Sequence, residues 1–222
     1  MHIDDGDFLT FASIAEGLSL DELSKQQMSD IWQCEVECGV WRRHPRIGAR
    51  SRSDISRDGY MGEVFMLVSS YRKDKLKDII KAGWKRLWTM GDRGKFDYIN
   101  IWPMIPTLYR AVYGSWVPTM PTLILDRPMY TTGYRAHLTA LHIMTEMMMG
   151  KRRWSHCKTL DLLVKRNPDN PWFITLQYTA HGINTAPLYF NFDMTEAAYG
   201  WGGCPGPVFK ALTLKAQEIG KL

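Results

Sequence analysis

The chain has 222 residues, 45% of them hydrophobic and 23% charged, with a net charge of +5. That is the make-up of an ordinary globular protein long enough to bury a core without staples, and it excludes a disordered tail or a fibrous repeat. Four cysteines are too few for a secreted disulfide scaffold, and no uninterrupted apolar run reaches the length of a membrane-spanning helix.

The opening "MHIDDGDFLTF" is acidic and lacks the basic start and apolar run of a signal peptide, so the expected place of synthesis is the cytosol, with release in a virion as a second destination. From residue 7, "DFLTFASIAEGL" predicts a helix closed by Gly17. Ser19 and Glu22 have the spacing of a capping box, which predicts a second helix through "LDELSKQQMSDIWQCEVEC", stopped by Gly39. Between Trp41 and Arg57 come six arginines and one aspartate, an arginine-rich loop.

A helix over 58–71 follows, started by Ser56 or Asp58. Its apolar residues (Tyr60, Met61, Val64, Phe65, Leu67, Val68, Tyr71) cover more than one stripe, which predicts burial on most sides. The helix over 74–88 has a single stripe through Leu76, Ile79, Ile80, Gly83, Trp84 and Leu87, with lysines between, so it belongs outside its neighbour. Residues 89–106 read as loop, "TLYRAVYG" as a short helix, and "SWVPTMPTLILDRPMY" as a proline-rich passage. Helices are then predicted over 132–149 and 155–166, and over "PWFITLQYTAHG", where Asn170 and Pro171 form a cap and first turn. "YGWGGCPGP" breaks the chain before a last helix from Pro207. The expectation is therefore a single all-α domain over 1–222, with helical hairpins in an α/α-toroid-like, complete or partial, arrangement.

The ordered pieces "DGDFLTFASIAEG", "CGVWRRHP", "SRDGYMGEVFML" and "RNPDNPWF" resemble a group of uncharacterised bacterial and phage proteins of six-hairpin, α/α-toroid type, similar to glycosidases and polysaccharide lyases. The resemblance spans most of the chain. It departs at the C-terminus, where "EAAYGWGGCPGP" replaces an acidic–tryptophan–arginine motif, and this chain is shorter than a full toroid of six hairpins. What it implies is a cavity facing carbohydrate and a glycan-processing protein, hydrolase or lyase, acting on a surface polysaccharide. The alternative is a non-catalytic structural or glycan-binding virion protein on the same scaffold.

Glycoside hydrolysis needs two carboxyl groups, about 5–5.5 Å apart for retention and about 6.5–9.5 Å for inversion. "DDGD" and "SRD" each supply acids at a helix start, and Asp7 and Asp58 are the expected catalytic pair, with Glu63 five residues further on. Asp5 and Arg57 are expected to bind substrate, Trp41 and Tyr60 to stack on sugar faces, and His44 to bind or move a proton. The same aspartates also read as helix caps and the Arg57–Asp58 pair as a salt bridge. Expected partners are a polysaccharide or other anionic glycan and other virion proteins, with no membrane. Nucleic acid is not expected, because no reading motif accompanies the charge.

No cofactor or metal is expected. The glycine-rich stretches match neither a phosphate loop nor a dinucleotide fingerprint, and a serine-hydrolase elbow is missing. Cys34 and Cys38 would need His156 and Cys157 to complete a zinc site, and "DGD" lacks the rest of a calcium loop. His137 and His142 are five apart and so do not share a helix face.

Overall fold

A computed structural model describes residues 1–3, 7–45, 57–88, 105–114, 133–183, 201 and 204–220, with the backbone alone at 57, 84–88, 105 and 106. Among these it is mostly helical, of the all-α class, with nine helices and one two-stranded sheet. The chain divides into two compact units, Met1–Met120 and Pro121–Leu222. The proline-rich passage and most of the arginine-rich loop lie outside the described residues.

The first unit is built around α1 (Phe8–Gly17) and α3 (Arg57–Ser69). Eight consecutive residues of α1, Phe8 to Ala15, are buried, and so are the ten from Gly59 to Val68 in α3. Side chains that cover a helix all round leave it no wet face, so each helix must be enclosed. They meet backbone to backbone: a Cβ at Gly62 would lie 2.5 Å from the Thr10 carbonyl oxygen, and one at Gly17 2.9 Å from Met66 Cα. Between them the Ser13 hydroxyl donates to Glu63. The contacts advance along both helices in the same sense, so α1 and α3 run parallel with their N-termini at one end.

The second predicted helix is corrected. Ser19 has φ 55, in the left-handed region, and caps nothing; α2 (Lys25–Gln33) is started by Ser24, whose Oγ accepts the Gln27 N–H while Gln27 returns a bond to the Ser24 N–H. The expected C-terminal part of that helix is instead a hairpin, β1 (Glu35–Glu37) with β2 (Val40–Trp41), antiparallel and bulged between Glu35 and Glu37. Gly39 turns it at φ 75, against the Asp78 backbone, where no side chain fits. Lys75 on α4 (Lys73–Trp88) ties the hairpin down through Glu35. α4 buries Leu76, Ile79 and Ile80 and exposes its lysines, as its single stripe predicts. α5 (Ile105–Tyr113) packs on it.

In the second unit α6 (Gly133–Met148) is buried continuously from Ala136 to Met147. α7 (Trp154–Arg166) and α9 (Gly206–Ile219) both pack on α8 (Pro171–Ala180). Asn170 caps α8 by accepting the Phe173 N–H at 3.1 Å, and its amide donates to His137 Nε2 at 3.2 Å. With Nε2 accepting, the one N–H of the His137 ring is at Nδ1 and donates to the Gly133 carbonyl, and the ring packs in a core of Trp172, Trp201, Phe173 and Phe209. Thr179 Oγ1 donates to Ala216 O, joining α8 to α9.

Candidate functional site

The parallel run of α1 and α3 puts the starts of both helices at one end of the pair, which brings Asp7 and Asp58 to the same end. Asp7 occupies the position before α1 but makes no side-chain cap bond. Asp58 is the second residue of α3, inside its first turn, where the helix dipole favours a carboxylate. Both side chains are half-buried.

The segment after the hairpin crosses this end. The Leu9 N–H, one of the orphan donors of α1, is taken by the Arg43 carbonyl at 3.0 Å, and the His44 ring packs edge-on against Phe8 at 4.9 Å. The Tyr60 hydroxyl donates to the Gly39 carbonyl and accepts the Trp41 N–H, both at 3.2 Å. The structure thus gathers Asp7, Trp41, His44, Asp58 and Tyr60 around one end of the helix pair. Trp41 and Tyr60 are 0% exposed and His44 is buried, so none of the three offers a ring face to solvent. Their rings brace the hairpin against the helices. Asp5 and the side chain of Arg57 lie outside the described residues.

One turn further along α3 is Glu63, which is fully buried. Burial pushes its carboxyl up to about 8; the Ser13 hydrogen bond at 3.0 Å opposes this, and Lys75 and Arg72 oppose it more weakly. Its second oxygen, Oε1, is buried with no hydrogen-bond partner. A carboxyl in that state is neutral at pH 7 and holds a proton to give. Cys34 is also buried, and burial raises its thiol to about 12. Periodicity marks Glu63 only as a polar residue within an apolar helix; its burial follows from the parallel packing of α1.

The second unit holds a polar cluster that spacing between His137 and His142 does not reveal. His142 and Glu146 are four apart on α6 and share a face. Glu146 receives His156 Nε2 at 2.6 Å on one oxygen and Arg153 at 3.2 Å on the other. A carboxylate holding one nitrogen of an imidazole orients the ring as in a general-base pair. His156 Nδ1 and His142 Nε2, however, are buried without a hydrogen-bond partner, so the pair faces the interior. Burial lowers His142 to about 4, and Arg153 and His156 reinforce that against Glu146.

Among the described residues no group of three or more His, Cys, Asp or Glu side chains is arranged to hold a metal ion. All four cysteines are free, and Cys157 donates to the Ala180 carbonyl. No described helix is long and apolar enough to cross a membrane. Comparison of the chain with protein-family models, with curated proteins and with solved structures finds no match.

Proposed function

We propose that this protein processes an acidic surface polysaccharide, with Asp7 and Asp58 as its pair of carboxyl groups and a phage virion as its setting. The observation that carries the reading is the parallel packing of α1 and α3, because it draws two half-buried acids from helix starts 51 residues apart in sequence to one end of the unit. The order of helices gives further support. A buried helix followed by an exposed one occurs twice, α1 then α2 and α3 then α4, with the buried pair parallel. An α/α toroid alternates inner and outer helices in that way, and the resemblance of "SRDGYMGEVFML" to six-hairpin proteins points in the same direction.

A second reading, a non-catalytic structural or glycan-binding virion protein, draws on the burial of Trp41, His44 and Tyr60. In that reading the end of the helix pair is a joint, and Asp58 only complements the helix dipole.

The test is cleavage of a panel of acidic polysaccharides, followed by new reducing ends for a hydrolase and by ultraviolet-absorbing unsaturated ends for a lyase. Asp58→Asn and Asp7→Asn each abolish cleavage in the catalytic reading, with melting temperature within a few degrees of wild type, since Asn is also accepted at helix starts. Cleavage that persists in both variants, or none by wild type across the panel, sends the assignment to the structural reading.

A further inference from the structure

On the exposed side of α4, Lys73, Lys77 and Lys81 recur every fourth residue. At a rise of about 1.5 Å per residue they form a ridge of positive charge about 12 Å long, with about 6 Å between neighbours. None of the three makes an ion pair among the described residues. Asp74, the acid beside the first of them, is held by Arg72 through two bonds of 2.9 and 3.1 Å. Like charges at this spacing repel on a helix; Asp74 and Asp78, three residues before Lys77 and Lys81, offset part of that repulsion, and the positive charge that remains is open to an anionic partner.

Beside the ridge lies an aromatic platform. Tyr113 on α5 is 43% exposed, with Lys77 Nζ 5.7 Å from its ring centroid and the half-buried Tyr109 ring behind it at 4.7 Å. A ring held by a second ring on one side and a cation at its face is positioned before any ligand arrives.

We infer that the Lys73–Lys77–Lys81 ridge and Tyr113 form a binding surface for a linear acidic polysaccharide, the three ammonium groups meeting successive carboxylates and the exposed edge of the tyrosine ring bordering one sugar. The inference rests on the glycan reading above and gives that protein a second, non-catalytic contact with its substrate. Charge complementarity alone also fits single-stranded nucleic acid. Binders of that class, however, place a ring under each of several successive bases, whereas this surface offers one exposed ring to three cations. All three cations are lysines, point charges without the planar fork of arginine, so they impose no paired geometry and suit single acidic groups spaced along a chain.

The measurement is fluorescence anisotropy with labelled oligogalacturonate at several salt concentrations, using the full chain. The triple variant K73Q/K77Q/K81Q is expected to bind about tenfold or more weakly, as expected for loss of three exposed ion pairs. Its dependence of log affinity on log salt is expected to be shallower by about two to three, one counterion or slightly less per lost contact. Y113A is expected to weaken binding with the salt slope unchanged. Circular dichroism should be unaltered, because all four side chains are at the surface. An unchanged affinity in the triple variant overturns the inference, and so does tighter binding of a labelled oligothymidylate that the triple variant alone abolishes. Asp58→Asn separates the two claims: it removes cleavage and keeps oligogalacturonate binding if both stand. Binding by wild type without any cleavage leaves this surface intact and removes the catalytic reading.

Discussion

The Ser13 hydroxyl on α1 donates to Glu63 on α3 at 3.0 Å, and the bond is buried between two helices that touch backbone to backbone. It is a polar link within a largely apolar contact, and it leaves Glu63 Oε1 without a partner. A lone hydroxyl is too little to stabilise a carboxylate there, so the fold favours the neutral acid.

Glu63 therefore makes the protein sensitive to base. Its folded pKa, about 8, is above the ordinary 4.5. The stability it contributes is complete below about pH 4.5 and is lost as pH rises through 8. The loss above pH 8 is on the order of 5 kcal/mol. Melting temperature against pH should decline across that window in wild type, and Glu63→Gln should flatten the decline. A Glu63→Gln curve parallel to wild type would mean that the carboxyl is ionised in the fold.

His142 acts in the opposite direction. Its folded pKa, about 4, is below the ordinary 6.5, so its contribution is present above pH 6.5 and is lost as pH falls through 4. The loss is on the order of 3 kcal/mol. Replacing it by Leu should remove this acid limb, read by near-ultraviolet circular dichroism between pH 7 and 3.5. Glu146→Gln should cost about 3 kcal/mol at pH 7, because it leaves Arg153 and His156 facing a neutral amide.

Gly62→Ala should cost about 1–3 kcal/mol by urea unfolding, since its Cβ meets the backbone of α1, which cannot step aside without parting the helices. Gly114→Ala is the control: that residue has φ 68 but open space around it, so only about 1 kcal/mol of backbone strain is at stake. Equal effects at the two positions would mean that α1 and α3 do not pack so closely.

Alkylation should also sort the thiols. Cys38 is exposed and should react with iodoacetamide in the folded protein, while Cys34, buried and raised to about 12, and Cys204, buried, should react only after unfolding. Rapid labelling of Cys34 at pH 8 would show that the hairpin beside it opens.

Much of the helical order is legible from local chemistry. Asn170-Pro171 starts α8 where that pair predicts, and the broad apolar pattern of 58–71 becomes the buried α3 as far as Ser69, while Tyr71, at φ 54, lies beyond the helix and is 84% exposed. The failure at Ser19 is instructive. "SLDE" has the letters of a capping box, but that box needs an extended residue at its start, and Ser19 is left-handed. The working box, Ser24 to Gln27, lies five residues on. The hairpin at 35–41 was not legible because it is held by tertiary partners, Lys75 on Glu35 and the Asp78 backbone under Gly39. That omission carries to the site. Tyr60 reads as a ring for a sugar until the hairpin is known, and then its hydroxyl belongs to Gly39 and Trp41. Two acidic helix starts, at Asp7 and Asp58, were legible in the sequence, but the parallel run that puts those starts at one end of the helix pair is a property of packing.

The glycine contacts between α1 and α3 also have a meaning for the newborn chain. α1 buries nearly every side chain it has, yet its partner is not made until residue 66 and beyond. At a synthesis rate of about 10 residues per second, α1 waits about 5 s for the helix that covers it. During that interval Phe8, Leu9, Phe11 and Ile14 are open to any apolar surface nearby. The second unit has a shorter step, since α7 and α8 are separated by only a short turn, but its α6, buried from Ala136 to Met147, waits in the same way for α8 and α9.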